Sequence, residues 1–135
     1  MIPSFTEFGC LPPGVHPATL DEIDACFGQL SELRRVQMES VRWMVELAVK
    51  AGVVRIVLNG SFVTDIIEPN DVDCVLLTGL DYPRDAVADQ ALQDGLPYLE
   101  TAIVPTVPFG RFVDDFFATG RFGEPKGMIE VIQWN

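Results

Sequence analysis

Asp71 and Asp73, acids one position apart, are the residues of this chain best placed to do chemistry. They open the apolar run Asp71-Val72-Asp73-Cys74-Val75-Leu76-Leu77, which reads as a strand. Side chains in a strand repeat every two residues, so both carboxylates face one side. Shortly before them, Val54-Arg55-Ile56-Val57-Leu58-Asn59 runs into Gly60-Ser61, a buried strand ending in a turn. Gly60 has no Cβ, so backbone amides there can approach an anion closely. Ser61 adds a hydroxyl and an amide, and a helical turn after it would add positive dipole. Two hard carboxylates beside such a turn form a seat for a divalent cation and a phosphate.

The elements that hold these residues follow from local pattern. Residues 1–18 carry Pro3, Gly9, Pro12, Pro13 and Gly14 and read as an irregular lead-in arm, packed by Phe5, Phe8 and Leu11. His16 in that arm reads as a surface loop residue. Thr19-Leu20-Asp21-Glu22 has the form of a capping box and opens a short helix that Gly28 ends. Ser31 to Ala51 is the clearest helix, with Leu33, Val36, Val41, Met44, Leu47 and Ala51 on its apolar side and Gly52 as its stop. Arg34, Arg35, Glu39, Arg42 and Glu46 are assigned to its other faces.

Val53–Leu58 is β-branched and almost free of polar residues, as suits a strand covered on both sides. After the acidic strand, 83–96 reads as a helix with Pro83 in its first turn and an apolar side of Val87, Ala91 and Leu92. Tyr98–Val104 is a third strand between Pro97 and Pro105. Residues 109–119 read as a short amphipathic helix, 121–127 as a turn-rich loop, and Met128–Trp134 as a last strand. The expectation is one α/β (α+β) domain over 1–135, with a single mixed sheet flanked by helices. The short link between the first two strands leaves an antiparallel pairing open.

Composition narrows the function. Nine basic residues against twenty acidic ones give a net charge of −11. That disfavours nucleic acid, whose binding rests on phosphate neutralisation by Lys and Arg. It also disfavours anionic membrane surfaces, and favours metal ions, basic partners or a nucleotide that brings its own cation. No apolar run approaches the ~20 residues that span a bilayer, and the first residues lack the pattern of a secretion signal. Cys10, Cys26 and Cys74 are odd in number and unpaired in spacing, which points to reduced thiols in a cytoplasm. His16 is the single histidine, so histidine-rich metal sites and Ser-His-Asp triads are disfavoured.

At Leu58-Asn59-Gly60-Ser61 and Asp71-Val72-Asp73-Cys74 the chain resembles the nucleotidyltransferase superfamily that includes DNA polymerase β. The shared pattern is an apolar strand, Gly-Ser, a spacer of roughly ten residues, and two acids around an apolar residue. The resemblance implies Mg²⁺ (or Mn²⁺) on Asp71 and Asp73, with a nucleoside triphosphate held by Gly60 and Ser61. It also implies a third acid on a later strand. Glu100, an acid within the apolar run of the third strand, is the choice, Glu130 the runner-up, and Asp114 and Asp115 rank third.

The implied activity is transfer of a nucleoside monophosphate to a hydroxyl of a protein or small molecule. Small members of the superfamily often act beside a helical partner in toxin–antitoxin pairs. The pattern is incomplete. Val63-Thr64-Asp65 stands where relatives often carry Ala-Arg-Gly, so no arginine is at hand for the triphosphate, while Arg121 and Lys126 are alternative cations. Two other readings follow: a catalytically degenerate binding or antitoxin-like module, and a metal-dependent phosphate hydrolase. Leu11–Gly14, Gly60–Thr64 and 125–127 also resemble segments of a group of small bacterial proteins that brings no established activity.

Overall fold

The computed structural model describes residues 2–116 and 126–134. Its strands are β1 (Gly14–Ala18), β2 (Val53–Asn59), β3 (Val72–Thr78), β4 (Leu99–Val104) and β5 (Gly127–Val131). Its α-helices are α1 (Leu20–Ile23), α2 (Glu32–Ala51), α3 (Ala86–Asp94) and α4 (Thr106–Arg111). Wider π-type turns continue α1 over Asp24–Gly28 and α4 over Phe112–Phe116.

The strands form one mixed sheet in the order β1-β5-β2-β3-β4. β2 runs antiparallel to both β3 and β5, while β3–β4 and β1–β5 are parallel pairs. Among the described residues no helix is long and apolar enough to cross a membrane.

Alternation along the strands divides the side chains between two faces. Ile56, Leu58, Val72, Cys74, Leu76 and Ile129 point to the main core, where α2 supplies Met38, Val41, Met44 and Ala48. Val57, Val75 and Met128 point to the opposite face, under Phe109 of α4 and the partly buried Phe112 and Val113. From Ile56 onward β2 is therefore covered on both sides, as its nearly apolar run predicts, while Val54 and Arg55 are exposed.

Capping follows the sequence closely. Thr19 N–H donates to Glu22 Oε1 at 3.0 Å and Glu22 N–H donates to Thr19 Oγ1 at 3.2 Å. Ser31 caps α2 through Arg34 N–H at 3.1 Å, and Gly52 closes it in the left-handed conformation at φ 96°.

Several expectations need correction. The lead-in arm is not wholly irregular: residues 14–18 form β1, whose Cα partners lie at Gly127–Val131. A short edge strand tolerates Pro17, and its partner lies at the far end of the sequence, so no local pattern announces it. His16 consequently stands in that strand, with Nε2 2.7 Å from the Pro12 carbonyl. Phe5 does pack, 6.0 Å from the Phe27 ring, and Leu11 is buried, but Phe8 is exposed.

The buried face of α2 is rotated from the expected one. Val36 is exposed, whereas Arg34 and Gln37 are wholly buried. α3 begins after Pro83, which follows a cis peptide bond, and Asp85 caps it by accepting from Ala88 N–H at 3.0 Å. Its buried face is Ala88 and Leu92, with Val87 exposed. The helix expected over 109–119 starts earlier, at Thr106, and the part beyond 116 lies outside the described residues. β5 ends at Val131 and β3 starts at Val72, which leaves Asp71 just before its strand.

Candidate functional site

The register of the sheet assembles the site. Asp73 is the Cα partner of Glu100 on β4 and of Asn59 on β2. Directly paired residues share a face, so Glu100, Asp73 and Asn59 form one row across three strands. They lie on the α4 side, since Asp73 alternates with the buried Val72 and Cys74 of the main core. Gly60 follows Asn59 and leaves the strand at φ 81°, ψ −166°, a conformation open in practice to glycine alone.

Gly60 has a second constraint. A Cβ on this residue would lie 2.4 Å from Asp73 Oδ2, so the Asp73 carboxylate fills the space that a side chain would take. Gly60→Ala should therefore cost roughly 1–3 kcal/mol from backbone strain, with displacement of Asp73 in addition. Urea denaturation of Gly60→Ala alone and with Asp73→Ala checks this. The second change should recover only the part owed to the clash.

The turn after Gly60 is anchored from the helix layer. Arg34, fully buried, donates through Nη1 to the carbonyls of Phe27 at 3.0 Å and Phe62 at 2.6 Å. Its Nη2 donates to Thr64 O at 2.9 Å and Ser61 O at 3.3 Å, and Nε donates to Ile66 O at 3.0 Å. The guanidinium also lies 5.3 Å from the centre of the Phe62 ring. Its neighbour one turn on, Gln37, donates to Pro69 O at 2.6 Å. These two side chains hold the 61–69 segment, and hence Ser61, against α2. The pattern of α2 did not reveal them, because arginine at 34 reads as an outer-face charge.

The electrostatics centre on Asp73. Its pKa is raised from the ordinary 3.8 to about 6, first by burial and then by the charge of Glu100 and a hydrogen bond with it. Lys126 opposes the rise, and Asp71 adds to it weakly. Asp73 and Glu100 line a shallow cavity of about 210 Å³ with Cys74, Thr101, Ala102 and Phe112. That is below the roughly 300–1,000 Å³ of sites that enclose a whole drug-sized ligand, so it suits the reacting end of a substrate.

Of the expected site residues, Asp73, Glu100 and Gly60 are brought together. Ser61 follows directly, in a single 3₁₀ turn over Ser61–Val63, too short to supply the helix dipole expected there. Asp71 is near enough for its charge to act on Asp73, but it lies outside the row of paired strand residues. Among the described residues, no three His, Cys, Asp or Glu side chains form a group able to hold a metal ion.

Glu130 is engaged elsewhere: Arg55 donates to its two oxygens at 2.8 and 2.6 Å and lies 5.0 Å from the Phe109 ring centre. Asp114 is exposed on the turn after α4, as a solvated residue would be. Arg121 lies outside the described residues, whereas Lys126 is half-buried and within electrostatic range of Asp73. Asn59 is the residue that motif reading passed over. It is 2% exposed, and its Oδ1 has no hydrogen-bond partner among the described residues.

The donors suit a hard cation. Mg²⁺ takes one or two carboxylates and leaves its other positions to water and substrate phosphates. Two carboxylates pressed together by the sheet repel one another, and a cation between them would relieve that repulsion. The fold and the row together define a small α/β protein with paired acids on one face of a mixed sheet, beside a glycine-gated turn. The chain belongs to a family of unknown function, DUF6932, whose model matches residues 3–132. No curated protein and no solved structure matches it.

Proposed function

We propose that this protein is a Mg²⁺-dependent nucleotidyltransferase that moves a nucleoside monophosphate from a nucleoside triphosphate onto a hydroxyl of a protein or small molecule. The observation that carries this reading is the pairing of Asp73 with Glu100 beside Gly60, whose missing side chain leaves room for the Asp73 carboxylate. Asp73 and Glu100 would hold the ion, with Asp71 at the edge of the site. The ion's contribution, when bound, is neutralisation of charge on the transferring phosphate.

The Gly60-Ser61 turn would bind and orient the phosphates, and Arg34 would keep that turn in place from behind. In the transfer, the acceptor oxygen forms a bond to the α-phosphorus. The bond from that phosphorus to the β-bridging oxygen breaks, and its electron pair leaves with pyrophosphate. The hydroxyl proton passes to a carboxylate of the site or to water. Lys126, whose charge acts on Asp73, would meet the triphosphate in place of the arginine that members of the resembled superfamily carry after Gly-Ser.

The test is incubation of the protein with triphosphates labelled at the α-phosphate, Mg²⁺ and cell extract. Wild type should label an acceptor, and the Asp71→Asn/Asp73→Asn double variant should lose at least about 100-fold of that labelling, as expected when ion-holding groups are removed. Absence of labelling with all four ribonucleoside triphosphates, or equal labelling by the variant, rejects the activity. Labelled nucleotide released without an acceptor would indicate phosphate hydrolysis instead.

A second reading has one observation in its favour. The absence of a three-acid group among the described residues suits a degenerate, antitoxin-like module that keeps the fold and binds a basic or helical partner. Triphosphate- and cation-independent binding of such a partner would distinguish it.

A further inference from the structure

Asn59 is buried in a place where a polar side chain has little to offer the fold. Along the strands it stands between Asp73 on β3 and the β5 segment that begins with Gly127 and Met128, two residues from the buried Val57. An apolar side chain of similar size would join that cluster. Asn59 instead brings a carboxamide whose oxygen accepts no hydrogen bond from the described residues. Buried polar atoms in folded proteins are nearly always paired, so an orphaned acceptor calls for a missing donor or cation.

The contrast with Gln37 is informative. Gln37 also has a buried oxygen without a partner among the described residues, but its amide nitrogen holds the Pro69 carbonyl and so has a structural task. Asn59 sits directly across from Asp73, which in turn sits directly across from Glu100. The Asn59–Asp73 pair is antiparallel, with Cβ atoms about 4.5–5.5 Å apart, and Glu100 stands one strand beyond, so Asp73 is the common neighbour of the two outer side chains. A carboxamide oxygen is a hard neutral donor of the kind that divalent cations accept beside carboxylates.

We propose that Asn59 is the third protein ligand of the cation site, its Oδ1 completing a row of oxygens with Asp73 and Glu100. This rests on the cation-dependent reading above. It gives the role of third oxygen to a residue of β2 and leaves Asp71 at the periphery. A neutral third donor also spares the site a third negative charge in the absence of cation.

The test is Mn²⁺ binding followed by the electron paramagnetic resonance signal of the free ion, with and without ATP, alongside melting of the cation-free protein. Wild type is compared with Asn59→Leu, Asn59→Asp and Asp73→Asn. Asn59→Leu should weaken Mn²⁺ binding at least tenfold while melting higher than wild type without cation, since an orphaned acceptor is gone. Asn59→Asp should bind Mn²⁺ more tightly than wild type and melt lower without cation.

Mn²⁺ affinity of Asn59→Leu within twofold of wild type overturns the assignment. So does weaker binding by Asn59→Asp than by wild type, which also decides the matter if Asn59→Leu does not fold. If wild type holds no Mn²⁺ with or without ATP, the cation-dependent reading fails together with this one. If wild type and Asn59→Leu bind equally and Asp73→Asn does not bind, the ligand assignment alone fails.

Discussion

Arg34→Ala is expected to be the most destabilising single substitution in the helix layer, lowering stability by about 3–5 kcal/mol. The side chain is wholly buried, and its nitrogens serve the carbonyls of Phe27, Ser61, Phe62, Thr64 and Ile66. A buried carbonyl left without a donor costs about 1–3 kcal/mol, although relaxation and entering water recover part of the sum. Lysine has three donors on one atom and cannot reproduce the planar fork, so Arg34→Lys should recover less than half of the loss.

Arg42, two turns further along the same helix, is the natural control. Its Nη2 donates to Asp24 Oδ2 at 3.0 Å and Asp21 Oδ1 at 3.2 Å, but the Arg42 side chain is 40% exposed. Arg42→Ala should cost no more than about 1 kcal/mol. Urea unfolding of the three variants gives the comparison. Hydrogen exchange at the Val63 and Thr64 amides adds a local readout, because both donate within the turn that Arg34 holds. An Arg34→Ala protein within about 1 kcal/mol of wild type would show that this carbonyl cluster is satisfied without the guanidinium.

The second large effect concerns Asp73. Asp73→Asn should stabilise the cation-free protein and remove its response to Mg²⁺. Burial and the adjoining Glu100 raise the carboxyl's pKa to about 6 from 3.8. Below pH 3.8 the group is protonated in the folded and unfolded chains alike. Between that pH and about 6 only the folded chain keeps its proton, so stability falls as pH rises through this window, and the loss is complete above it. Screening at a half-exposed carboxyl reduces the loss to roughly 1–2 kcal/mol at neutral pH.

The difference in melting temperature between Asp73→Asn and wild type should therefore open between pH 4 and 7. Taking the difference cancels the titrations of acids that do not interact with Asp73, and what remains is that of Asp73 with its neighbours Glu100 and Asp71. Added Mg²⁺ should raise the melting temperature of wild type by mass action and leave the variant unmoved. A pH-independent difference, or an equal Mg²⁺ response in both proteins, would remove Asp73 from any cation site. Stability given up at one carboxyl and regained with a ligand is a common signature of functional groups.

Much of the architecture was legible along the chain because it depends on neighbours in sequence. The Thr19–Glu22 capping box, the Gly52 stop, the doubly covered β2 and the mixed sheet each rest on a local pattern of polarity or a turn residue. The acids and the Gly-Ser turn were legible for the same reason, as short motifs attached to strands. The face of α2 was harder to place. Arginine and glutamine at 34 and 37 look like solvent-facing residues, and only the carbonyls of the 61–69 segment and Phe27, gathered over them, make their burial favourable.

The amino-acid sequence by itself determined the main helices, four of the five strands, the acidic character and the Asp73 and Gly-Ser motifs, since these follow from spacing and composition. Tertiary structure decided the partners. It joined β1 to β5 across nearly the whole chain, set Glu100 rather than Glu130 opposite Asp73, gave Glu130 to Arg55, and put Asn59 in the row. The physical reason is register. Which strand residues face one another is set by hydrogen-bonded ladders and core packing between distant segments, and a shift of one residue would send every one of these side chains to the opposite face.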